Sequence, residues 1–209
     1  LRIIGNMSDA ESYSNPRHTQ METLEIREFF GEIFEKNLAL TVHTGLTLRF
    51  ENLSQPLYTL ADREKLERAV MNMISNAMKF TAPGGTIDAK LTRRDKKLYL
   101  TLRDSGEGIP EAIRGSVHRR YLRQPGIEDS RFGIGLGMVL IRSAAAIHGG
   151  TVLIDHPEGS GTRITMTLAM RRPTSGTLRS PVLHVDYAGE RDHALMEFSE
   201  FLPASLYER

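Results

Sequence analysis

Three polar side chains in one segment have the types and spacing to do chemistry. Asn72, Asn76 and Lys79 stand at i, i+4 and i+7 within residues 62–81, which read DREKLERAVMNMISNAMKFT. At about 100° per residue they share a narrow stripe of one helix. Carboxamide oxygens can ligate or orient a hydrated Mg2+, and a lysine ammonium meets phosphate oxygens as a point charge. The stripe suits a metal-bound polyphosphate; two Asn and one Lys would also serve as a solvated helix face. Downstream, Leu98, Leu100 and Leu102 alternate with Tyr99, Thr101 and Arg103. Asp104 continues the leucine parity, so its carboxylate aims at the buried side. A buried carboxylate needs a donor, and a purine amine is one candidate. Ser105-Gly106-Glu107-Gly108-Ile109 follows, with glycines that let backbone approach a flat ligand. The alternative is an ordinary strand-to-turn Asp-Gly. A third group, Gly133-Ile134-Gly135-Leu136-Gly137-Met138, opens a helix whose N-terminal N–H groups could face an anion. It does not follow a strand directly, as a dinucleotide fingerprint would.

The elements that must position these groups are legible in outline. Leu66, Val70, Met73, Ile74 and Ala77 give residues 62–81 an apolar face opposite the polar stripe, and Asp62 is a good N-cap. The breaker cluster Thr81-Ala82-Pro83-Gly84-Gly85 ends that helix. Residues 86–93 and 97–103 read as a hairpin turned near Arg94-Asp95. Leu136, Leu140, Ala144 and Ile147 form the apolar stripe of the glycine-led helix, which ends at Gly149-Gly150. His148 there reads as a helix-end contact and not as a base. Strands over residues 151–155 and 162–170 follow, joined by the tight turn Glu158-Gly159-Ser160-Gly161-Thr162. Upstream, Thr23 can cap a helix through about Leu38, with Ile26, Phe30, Ile33, Phe34 and Leu38 as its core stripe. Leu46, Leu48 and Phe50 alternate as a strand, and Gln55-Pro56 turns the chain. Residues 114–131, rich in Arg and His with Pro125-Gly126 inside, read as a mobile lid whose cations either close over phosphates or only solvate a loop.

Composition narrows the function classes. The chain has 209 residues, a net charge of +1 and no cysteine. Disulfides, thiol catalysis and zinc-thiolate sites are excluded, and there is no general electrostatic case for nucleic acid or an anionic membrane. No apolar run approaches a membrane span. The chain begins at Leu1 in what reads as the tail of a helix, residues 1–13, broken at Asn15-Pro16. The expectation is an excised cytosolic segment of a longer protein. After Arg172-Pro173 the composition shifts to a linker, a short strand near residues 181–187 and an acidic helix near residues 191–201 that suggest docking.

The order of the pieces is more specific than any one of them. Asn helix, Asp-x-Gly-x-Gly turn, basic lid, Gly-x-Gly-x-Gly helix start and Gly-x-Gly-Thr turn occur here in sequence. Over about residues 23–171 the chain resembles the ATP-binding domain of two-component sensor histidine kinases, within the GHKL ATPase superfamily (Bergerat fold). The resemblance implies a two-layer α/β sandwich, a mixed and mostly antiparallel sheet with helices on one face. It implies ATP and Mg2+ as ligands.

Carried over residue by residue, Asn72, Asn76 and Lys79 match the N box. Asn76 would be the Mg2+ ligand, Asn72 a phosphate- or metal-side group and Lys79 a phosphate contact, with Phe80 helping to wall the pocket. Asp104 matches the aspartate that receives the adenine amine, with Gly106, Gly108 and Ile109 in the same G1 box. Gly133, Gly135, Leu136 and Gly137 match the G2 box, and Thr162 the residue near adenine in the G3 turn. In the F box Tyr121 keeps an aromatic and Arg123 the basic residue, but His118 stands where a phenylalanine is usual, which bears on lid packing. Hydrolytic members carry a water-activating glutamate in the N-box helix; here the corresponding position is Asn72, a poor general base, which favours phosphate transfer over hydrolysis.

The expected organisation is residues 1–20 as the end of a dimerisation and phosphoacceptor helix, 21–171 as the ATP-binding domain and 172–209 as a C-terminal extension. The expected function is MgATP binding and donation of the γ-phosphate to a histidine outside this chain, with Asn72, Lys79 and Arg123 assisting. None of the seven histidines has a phosphoacceptor context. Expected partners are the protein's own dimerisation domain, in a homodimer, and through it a response regulator, with neither nucleic acid nor membrane contacted by this segment. Its location would be the cytoplasm, whether or not the sensor is membrane-anchored. The alternatives are a degenerate nucleotide-binding interaction module and an anti-sigma-type protein-serine kinase.

Overall fold

The apolar alternation read from the sequence builds one five-stranded sheet with helices on one face. The computed structural model describes residues 19–109, 136–157 and 161–172. In chain order these form β1 (Glu22–Glu25), α1 (Ile26–Val42), β2 (Thr47–Glu51), β3 (Tyr58–Ala61), α2 (Arg63–Phe80), β4 (Thr86–Arg94), β5 (Lys97–Asp104), α3 (Leu136–Ile147), β6 (Val152–Asp155) and β7 (Arg163–Ala169). The expected N-terminal helix end, the basic lid, the middle of the Glu158–Thr162 turn and the C-terminal extension lie outside the described residues.

The sheet order is β2-β4-β5-β7-β6. Only β2 and β4 run parallel, Leu48 opposite Ile87; the other neighbours are antiparallel, with Leu100 paired to both Leu91 and Met166. Period-two alternation turns Ile87, Ala89 and Leu91, Leu98, Leu100 and Leu102, and Ile164, Met166 and Leu168 to the same buried face. Each fully buried leucine contributes roughly 1.5–3 kcal/mol. Asp104 ends the β5 leucine row and is buried with it.

α2 lies on that face. Asp62 caps it, Oδ1 accepting from the Lys65 N–H at 3.0 Å. Leu66, Val70, Met73, Ile74 and Ala77 are in the core as the periodicity predicts. The opposite side is not a solvated face. Met71, Asn72, Ser75 and Met78 are buried too, because α1 and α3 pack against α2 from its flanks. In α3 the buried set is Leu140, Ile141, Ala144 and Ala145, with Ile147 only half-buried. Leu140 and Ala144 are thus buried as expected, and Ile141 and Ala145 extend the buried stripe to one side of them.

The N-terminal part differs from expectation. Thr23 does not cap α1: it pairs with Leu60 in a separate two-stranded ribbon of β1 and β3. Glu25 performs the capping, its Oε2 accepting from the Glu28 N–H at 2.7 Å and its Oε1 from the Arg27 and Leu57 N–H groups. α1 runs on past Leu38, which is 49% exposed and outside the core stripe. The ribbon is tied to the end of β7, where the Arg171 N–H donates to Thr59 Oγ1 at 2.8 Å and the Leu60 N–H to the Arg171 carbonyl.

Candidate functional site

Asp104 reaches the site because the hairpin and the turn before Arg163 meet at one end of the sheet. Its backbone N–H donates to the Thr162 carbonyl at 3.0 Å. Its Oδ1 accepts from the Thr162 N–H at 3.1 Å and the Gly106 N–H at 2.9 Å. Both bonds fall on one oxygen, so among the described residues Oδ2 keeps its acceptor capacity for a ligand donor. Burial pushes the Asp104 carboxyl up from the usual carboxylate range, opposed by those backbone hydrogen bonds and by His156. His156 contacts the same turn, with Nδ1 3.4 Å from the Gly161 carbonyl oxygen. Sequence reasoning passed over it, since a single histidine after a strand carries no signal.

The glycines here close the backbone on itself. A Cβ on Gly106 would lie 2.0 Å from the Phe80 carbonyl oxygen, so the turn after β5 abuts the C-terminal end of α2. Gly108 has φ +77°, and a Cβ there would meet the Gly161 carbonyl oxygen at 3.1 Å. Thr162 is buried beside Asp104, and Ile109 is half-buried.

From this turn the polar side chains run back along α2. Phe80 and Lys79 are half-buried at its end. Asn76, one turn earlier, is half-buried, and no group among the described residues hydrogen-bonds its carboxamide. Asn72, a further turn back, is 8% exposed. Its Nδ2 donates to the Arg68 carbonyl at 2.8 Å, while its Oδ1 stands against Gly137 of α3, where a Cβ would come within 2.6 Å. At 1.5 Å per residue the line from Phe80 to Asn72 is about 12 Å long. The structure thus brings together Asn72, Asn76, Lys79, Phe80, Asp104, Gly106, Gly108, Ile109, Gly137 and Thr162. Leu136 is the first residue of α3; Tyr121, Arg123, Gly133 and Gly135 lie outside the described residues.

The donor set fits MgATP. No group of three or more carboxylates or histidines among the described residues could hold a metal. A cation here would be held by Asn76 together with phosphate oxygens, the hard oxygen donors that Mg2+ prefers. A depression of about 250 Å³ adjoins the site at Asp104 and is lined by Thr86, Asp88, Arg103, Asp104 and Ser105. Its Asp88 and Arg103 are exposed on the helix-free face.

A helix-covered mixed sheet with a buried strand-end Asp, glycine turns and an Asn-bearing helix defines a purine-nucleotide-binding α/β sandwich. The chain belongs to the histidine kinase-, DNA gyrase B- and HSP90-like ATPase family, whose sequence model matches residues 61–172. It is 34% identical to the sensor histidine kinase WalK of Bacillus subtilis over 172 residues, 80% of this chain and 28% of that protein. It is 29% identical to histidine kinase P4 of Formosa agariphila over 177 residues, 82% of this chain and 13% of that protein. The chain thus spans well under a third of the length of these relatives. A solved mycobacterial sensor histidine kinase, MprB, superposes with a TM-score of 0.58 at 27% identity, covering 73% of this chain and 99% of that one. No described helix is long and apolar enough to cross a membrane.

Proposed function

We propose that this chain binds MgATP and presents its γ-phosphate to a histidine on a dimerisation domain of the same protein, outside this sequence. The observation that carries the reading is Asp104: its Oδ1 is held by two backbone N–H groups, and the Gly106 turn that follows it abuts the Phe80 carbonyl at the end of the helix that carries Asn76. In this reading Oδ2 accepts the adenine amine, and Gly106 and Gly108 let backbone lie against the ring. Phe80 and Thr162 border the base. Asn76 ligates Mg2+, which when bound neutralises phosphate charge. Asn72 and Lys79 hold the phosphates in line, and Arg123 adds a cation from the lid. Asn72 abstracts no proton, so water is not activated and the phosphate is kept for the histidine.

The domain would be residues 21–171, the cytoplasmic portion of a sensor that dimerises through its phosphoacceptor helices and passes phosphate to a response regulator. The test is to supply a phosphoacceptor hairpin to the chain with γ-labelled ATP. Acid-labile, base-stable label on the hairpin is the expected result. Acid-stable label would point to serine transfer, and binding without transfer to an interaction module.

A further inference from the structure

We infer that His148 is a positioning residue for the nucleotide: its neutral imidazole fixes how far α3 sits along α2, and protonation loosens that register. The inference rests on the reading of the α2–α3 face as a nucleotide site. α3 runs antiparallel to α2, and the two meet at both ends. At one end Gly137 stands against Asn72. At the other the Asp62 N–H donates to His148 Nε2 at 2.9 Å. Asp62 lies ten residues before Asn72 and His148 eleven after Gly137, about 15 Å and 16.5 Å of helix. The two contacts therefore form a clamp whose halves share one axial offset. Loosening the His148 half lets α3 slide or tilt, and the displacement reaches Gly137 and the N-terminus of α3 beside the phosphate end of the site.

The hydrogen bonds require one protonation state. His148 Nδ1 lies 2.7 Å from the Ala144 carbonyl oxygen, which can only accept, so Nδ1 carries the proton. Nε2 accepts from Asp62, so it carries none. A second proton would set donor against donor at the first residue of the α2 cap. The Asp62 carboxylate offers little relief, because Oδ1 already accepts from the Lys65 N–H and Oδ2 from the Gln20 N–H. The imidazole is 2% exposed. The charged groups that face it are Asp62 and Lys65 from α2 and Arg171 from the segment after β7. Asp62 favours the imidazolium; Lys65, Arg171 and above all burial oppose it.

The test follows ATP affinity of the whole chain by calorimetry between about pH 7.5 and pH 5, a range in which histidine titrates. Wild type is compared with His148→Gln, whose side-chain oxygen can accept near the Nε2 position without titrating. Both proteins share the titration of ATP and of Asp104, so the readout is the difference in their pH dependence. The expected result is that wild type loses roughly three- to tenfold more affinity on acidification than the variant, the fold-change of about one hydrogen bond. Equal losses would overturn the inference. Failure of wild type to bind ATP at any pH would instead remove the nucleotide reading beneath it. A second measurement needs no variant: the imidazole 15N resonances of wild type are titrated with and without saturating ATP. By linkage, nucleotide should lower the pH at which His148 titrates. An unchanged midpoint, or an Nε2–H tautomer, contradicts the proposal.

Discussion

Gly137 meets Asn72 so closely that a Cβ on the glycine would stand 2.6 Å from the asparagine Oδ1. The glycine-led helix and the asparagine helix thus touch through backbone on one side and a carboxamide on the other. The contact explains why Asn72 is buried instead of solvated.

Gly137→Ala should separate binding from stability. The new methyl displaces the Asn72 side chain, and ATP affinity is expected to fall roughly tenfold, about 1.4 kcal/mol. Alanine in a helix gains back up to about 1 kcal/mol over glycine, so the melting temperature should change little. Calorimetry beside a thermal melt checks this. Unchanged affinity would mean that the Asn72 side chain does not serve the nucleotide.

Asp104→Asn should not lower the stability of the ligand-free chain. The folded-state pKa of Asp104 is raised by burial, so its linked contribution to stability is complete below the unfolded pKa and is lost as pH rises through the folded value. At neutral pH the ionised group is held at a cost that asparagine avoids while its carbonyl still accepts from Gly106 and Thr162. Denaturant unfolding at neutral pH is expected to show equal or greater stability. A clear loss would show that the carboxylate itself holds the turn.

Gly161→Ala is expected to damage the fold. Gly161 has φ +86°, and a Cβ there would lie 1.9 Å from the Asp104 carbonyl oxygen. Backbone strain plus a contact that only backbone movement relieves should cost about 2 kcal/mol or more. Denaturation midpoints measure it; a variant as stable as wild type would mean that the turn has a second conformation.

Acid should destabilise the chain partly through His148. Burial holds its folded-state pKa below the usual imidazole value, so its contribution to stability is complete above the unfolded pKa and is lost as pH falls through the folded one. Stability should therefore decline on acidification below about pH 6.5, and His148→Gln should remove part of that slope. An identical slope in both proteins would assign the decline to other groups.

The central features of this site were legible because each depends on a short-range pattern. The helix cap at Asp62, the leucine parity that buries Asp104 and the hairpin turn at Asp95, with φ +52°, are all local consequences of residue type. The ribbon of β1 and β3 was not legible. Its four-residue strands have no clean alternation, and Thr23 resembles a helix cap until its partner Leu60 is known. Glu25 caps α1 with a longer side chain than the usual Ser, Thr, Asp or Asn, so the local rule pointed to the wrong residue. The burial of Asn72 and the clamp at His148 both come from α3 crossing α2, a relation between segments more than sixty residues apart that periodicity within either helix does not encode.

The most direct test of the account is a calorimetric titration of the chain with ATP, with and without Mg2+, beside Asp104→Asn and Asn76→Ala. Wild type is expected to bind, Asp104→Asn to lose binding with or without metal, and Asn76→Ala to lose mainly the Mg2+-dependent part. Wild type that does not bind ATP, or Asp104→Asn that binds as wild type does, would contradict the assignment of this site.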